Sequence, residues 1–68
     1  MKSNFAKRIY ELRIEKALSQ QALAKEIGVT QKAINFWEQE INEPKASYII
    51  KLSLFFGVST DYILGLED

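Results

Sequence analysis

Apolar residues recur at helical spacing in five stretches of the chain, and polar caps, glycines or a proline stand between them. In residues 4–16, Phe5, Ile9 and Leu12 form a core stripe, with Asn4 or Ser3 as the cap. Ala6, Tyr10 and Ile14 make a second stripe on another face, open to two readings: plain surface hydrophobicity or a contact for a partner chain. Ser19 is placed to cap a second helix carrying Ala22, Leu23 and Ile27, and Gly28 follows where a left-handed residue must end it. Thr30 is placed to cap a third helix over residues 30–39. Its inward set is Ala33, Ile34 and Trp37, while Gln31, Lys32, Asn35, Phe36 and Gln39 share the opposite face.

Residues 40–45 contain the only proline, so INEP reads as a loop and Pro44 as a barrier to continuing that helix. A fourth helix is predicted from Lys45 or Ala46 to about Phe56, with Ile49, Leu52, Ser53 and Phe56 on its core face and Gly57 ending it. Ile50 and Leu54 lie roughly 100 to 150° round the helix from that face, where a monomer carries polar groups. Ser59 or Thr60 caps a last short helix over residues 61–64, whose Tyr62, Ile63 and Leu64 close the bottom of the core before Gly65. No strand pattern or internal repeat interrupts the series, and the expected fold class is all-α.

Length and composition narrow the chemistry. Sixty-eight residues suit one domain, near the size at which a single core is only just sufficient. Without cysteine or histidine, a disulfide framework, a cysteine-based zinc site and a histidine relay are excluded. Carboxylates are then the conventional catalytic groups available. Glu38, Glu40 and Glu43 cluster near one loop, but without a phosphate-cradling glycine loop the expectation is no enzyme, no metal and no cofactor. No apolar run reaches the length of a signal peptide or membrane span, so the expected location is the cytoplasm, with no membrane partner.

Formal charge is zero overall but unevenly placed. Residues 1–37 carry seven Lys/Arg against three Glu, a net +4, and residues 38–68 carry two Lys against six Asp/Glu, a net −4. This asymmetry points to one face for a polyanion.

The stretch LSQQALAKEIGVTQKAINFWE, residues 18–38, reads as two short helices joined by a tight turn at Gly28-Val29. Together with Arg13, Ser19-Gln20, Leu23-Ala24, Ile34, Trp37-Glu38, Pro44 and the ending GVSTDYILG at 57–65, it resembles the Cro/repressor type of helix-turn-helix, the Xre-like family. A lone helix-turn-helix pattern is a weak signal, but this resemblance covers nearly the whole chain. It implies a compact five-helix, lambda-repressor-like domain with the motif in helices 2 and 3, binding double-stranded DNA as a transcriptional regulator, a repressor by expectation, and working as a homodimer.

The major groove of B-DNA admits one α-helix, and the helix over residues 30–39 is the one the resemblance sends there. Gln31 is placed to hydrogen-bond a base, as amides do to adenine; Lys32 suits guanine or a phosphate; Asn35 suits either task; Phe36 suits a thymine methyl. The resemblance assigns backbone contacts to Ser19 and Gln20, where a helix N-terminus favours phosphate, though Ser19 also serves as a plain cap. Thr30, Gln39, Asn42 and Lys45 complete the expected backbone set. Arg13 and Glu38 resemble the pair that ties helix 1 to the end of the recognition helix. The expected dimer surface is Thr60, Ile63 and Leu66, widened by Ile50 and Leu54. One departure stands out: where the family commonly has glycine and a basic residue after the recognition helix, this chain has Glu40, Ile41, Asn42 and Glu43, which weakens phosphate binding there. The competing reading is a protein-interaction module on the same fold, an antitoxin or co-regulator.

Overall fold

The computed structural model describes residues 4–67. They form α1 (Phe5–Glu15), α2 (Gln20–Ile27), α3 (Gln31–Glu38), α4 (Ala46–Phe56) and α5 (Thr60–Leu64). Three of the starts are fixed by hydroxyl caps three residues from the amide they serve. Ser19 Oγ accepts from the Ala22 N–H at 3.0 Å, Thr30 Oγ1 from Ala33 at 3.1 Å, and Ser59 Oγ from Tyr62 at 2.9 Å. Asn4 occupies the cap position of α1 but makes no side-chain cap bond, and Ser3 lies outside the described residues.

The helices enclose one core of Phe5, Ala6, Ile9, Leu12, Leu23, Ala24, Ile27, Ile34, Trp37, Leu52 and Ile63. Ile9, Leu23, Ile34, Leu52 and Ile63 are the largest side chains wholly withdrawn from water, each contributing on the order of 1.5–3 kcal/mol by burial. α2 packs chiefly on α3, α1 touches both α3 and α5, and α4 lies against α5 and α2. Trp37 extends the core toward α4, its ring 5.9 Å from that of Tyr48, and Pro44, in the loop between α3 and α4, is buried.

Two expectations are corrected by this packing. Ala6 does not share an outer stripe with Tyr10 and Ile14: it is buried, because α1 is covered from two sides and its hidden arc is wider than one stripe. Ile63 is not a surface residue; α5 is a single turn, and its capped start aims Ile63 wholly into the core while Leu64 is left partly exposed. Ile63 therefore cannot belong to a dimer surface without the core opening.

The chain returns to its start at the end of α5. Arg8 Nη1 donates to the carbonyls of Tyr62 and Glu67, both at 2.9 Å, with its guanidinium 4.0 Å over the Tyr62 ring. Gly65 has φ +81°, and a Cβ there would come within 2.5 Å of the Asn4 Cβ, so both backbone conformation and space require glycine. Among the described residues, no helix is long and apolar enough to cross a membrane.

Candidate nucleic-acid interface

The geometry of α3 follows from what holds its two ends. At the start, the Thr30 cap leaves Gln31 and Lys32 in the first turn, both exposed. Asn35 and Phe36, one turn on, are half-buried, and Lys32 Nζ stands 5.4 Å from the Phe36 ring centroid. Gln39, at the C-cap, is exposed. A cation, three amides and an aromatic ring thus share the face turned away from Ile34 and Trp37.

At its other end α3 is tied to α1. Arg13 Nε donates to Glu38 Oε2 at 2.7 Å and Arg13 Nη2 to Glu38 Oε1 at 3.0 Å, a two-point ion pair whose side chains are only 10% and 6% exposed. Arg13 Nη1 spends a further proton on the Leu18 carbonyl at 2.8 Å, which fixes the chain leading into α2. The hydrogen bonds to Glu38 hold the Arg13 pKa above its ordinary value, against the opposing effect of burial. With Glu38 committed to Arg13, the acidic cluster read from the sequence does not converge. Among the described residues, no group of three or more carboxylates is placed to hold a metal ion.

Gln20 is the residue whose role the sequence left least visible. Its Nε2 donates to Glu38 Oε1 at 3.1 Å and to Asn35 Oδ1 at 3.3 Å, while its Oε1 accepts from Gln31 Nε2 at 3.3 Å. Gln39 Nε2 donates to the same Asn35 oxygen at 3.1 Å. The outer amides of α3 therefore form one chain of bonds that runs through α2 to the buried ion pair. The available signal was position: Gln20 opens α2 beside Ser19, next to the start of α3.

The loop beyond α3 is shaped by Glu40, which takes a left-handed φ of +60°. That conformation lets the Glu40 amide donate to the Trp37 carbonyl at 3.2 Å and the Ile41 amide to Phe36 at 2.9 Å. Two amides of the loop are consequently spent on closing α3. Ile41, Asn42, Glu43 and Lys45 are exposed, with Lys45 at the cap position of α4. Ser19 and Thr30 are exposed too, each also engaged as a helix cap. In α4, in α5 and just after it, Ile50, Leu54 and Leu66 are 52%, 77% and 73% exposed, and Thr60 is half-buried.

Comparison with known proteins places this arrangement. The helix-turn-helix family model matches residues 9–63. The uncharacterized HTH-type transcriptional regulator YobD of Bacillus subtilis strain 168 is 33% identical over 64 residues, covering 94% of this chain and 57% of that protein. The SPbeta prophage-derived uncharacterized regulator YonR of the same organism is 37% identical over 60 residues, covering 88% of this chain and 56% of that protein. The chain thus spans little more than half the length of these curated relatives. The P22 c2 repressor, in a crystal structure with synthetic operator 9T, superposes with a TM-score of 0.87 at 33% identity, covering 93% of this chain and 96% of that one.

Proposed function

Since the chain belongs to the Cro/C1-type helix-turn-helix family, we propose that it is a sequence-specific double-stranded DNA-binding domain of a transcriptional regulator, a repressor that inserts α3 into the major groove. The observation that carries the reading is the outer face of α3, where Gln31 and Lys32 stand exposed in the first turn of a helix held at both ends. Gln31, Lys32, Asn35 and Phe36 address base edges, which carry sequence information. Ser19, Thr30, Gln39, Asn42 and Lys45, together with Gln20 through its main-chain amide at the start of α2, address the sugar-phosphate backbone and fix the register. Similarity to an operator-bound repressor along nearly the whole chain supports this assignment. The role is binding rather than catalysis, exercised in the cytoplasm, and it needs no cofactor.

Two copies acting on a two-fold operator would set their recognition helices about 34 Å apart, one turn of DNA. The exposed Ile50, Leu54 and Leu66, together with the half-buried Thr60, are the surface through which the copies meet. Selection from randomised duplexes tests the whole reading. A symmetric consensus is expected, with affinity falling steeply as salt rises. Failure to enrich any sequence would reject DNA recognition in favour of a protein-interaction module.

A further inference from the structure

The amide bonds around Gln20 have a direction, and one charge sets it. Glu38 is a carboxylate and can only accept; both its oxygens are pinned by Arg13. The part of the Gln20 amide lying 3.1 Å from Glu38 Oε1 must therefore be the nitrogen, because an oxygen there would face an anion. That nitrogen has two protons. One goes to Glu38 and the other to Asn35, which must in turn present its oxygen. Gln39 Nε2 occupies the same oxygen from the other side.

Asn35 consequently has its acceptor committed twice within the protein and its Nδ2 committed nowhere. Among the described residues, no buried side-chain nitrogen or oxygen lacks a partner, so this unbonded Nδ2 reaches the surface. Gln31 differs: it spends one Nε2 proton on Gln20 and keeps its oxygen and its other proton.

We propose that Gln20 is a positioning residue that passes the orientation imposed by Glu38 to Asn35, so that Asn35 reads the major groove as a hydrogen-bond donor only. Its target is an acceptor edge. Guanine, with O6 and N7 side by side, suits two protons on one nitrogen, and the paired donor and acceptor contact that an unconstrained asparagine makes to adenine is denied. The inference rests on the DNA-binding reading and specifies one position within it.

The test compares the parent chain with Gln20→Met and Asn35→Asp by selection from randomised duplexes, with urea unfolding to confirm that each variant is folded. The parent should prefer guanine over adenine at the base pair facing Asn35 by about fivefold to a hundredfold. Gln20→Met keeps the two-point ion pair and leaves the Asn35 oxygen held by Gln39 alone, whose exposed amide is free to turn with it, so that preference should fall toward unity. Asn35→Asp keeps an oxygen for Gln20 and Gln39 and turns a second acceptor outward, so preference should move to a base with an amino donor. A parent preference for adenine at that position, or a base preference untouched by Gln20→Met, would overturn the relay. If no duplex is enriched, the DNA-binding reading fails and the base preference falls with it. The amide direction is then decided in the free protein by NMR: slowly exchanging Gln20 amide protons beside rapidly exchanging Asn35 protons support it, and the reverse order overturns it.

Discussion

The two sides of the molecule differ in how their outer residues are held. On the α2–α3 side, Gln31, Asn35 and Gln39 are bonded to one another or to Gln20, and through Gln20 to a buried ion pair. On the α4–α5 side, Ile50, Leu54 and Leu66 stand in solvent as apolar surface. The first surface is specified by direction, since each hydrogen bond demands a donor at one end and an acceptor at the other. The second is specified only by area, because burial of apolar surface is not directional. A surface of the first kind suits base edges, and one of the second kind suits another apolar surface of compatible shape. Charge divides along similar lines, with the first 37 residues net positive and the remainder net negative.

The contrast breaks most severely where the polar side is anchored. Glu38→Ala strands Arg13 in a nearly closed site and should lower stability by about 3 to 5 kcal/mol, whereas Glu40→Ala, at an exposed loop position, should change it little. Equal urea midpoints for the two variants would mean that the ion pair does not anchor the surface. The next largest effect is on binding. Gln31→Ala and Lys32→Ala should each cost about 1 to 3 kcal/mol in operator affinity with the fold unchanged, read by titration at fixed salt. Parental affinity in both would remove α3 from the groove.

A smaller effect sharpens the comparison at the junction between the two sides. Glu40 adopts a left-handed backbone conformation that an ordinary side chain disfavours, while Gly28 and Gly57 fill the corresponding positions after α2 and α4. Glu40→Gly should therefore raise stability by about 1 kcal/mol, and by removing a carboxylate it should also strengthen DNA binding at low salt. An unfolding midpoint below the parent's would contradict the strain. The smallest expected change in protomer stability, within about 0.5 kcal/mol, is that of Leu54→Glu, because the residue is largely in solvent. Its effect should appear in self-association instead, with sedimentation on operator DNA showing one copy where the parent shows two. Two copies of the variant bound as tightly as the parent would free Leu54 of any interface role.

What the sequence determined by itself was local. The helix starts at Ser19 and Thr30, a start at Ser59 or Thr60, and the stops at Gly28, Gly57 and Gly65 depend on contacts within a few residues, and such contacts are written in consecutive letters. The inward faces of α2 and α3 were legible for the same reason, since a 3.6-residue period sorts side chains before any partner helix arrives. Tertiary structure decided how wide each buried face became and which polar atoms met. Ala6 is hidden because α1 is covered by both α3 and α5, and Ile63 is spent in the core because α5 is one turn long. The Gln20 amide acquires its direction only when α2 crosses the end of α3 and brings it to Glu38, 18 residues away. A hydrogen bond's polarity depends on both partners, and residues that far apart become partners only through the crossing of the helices that carry them.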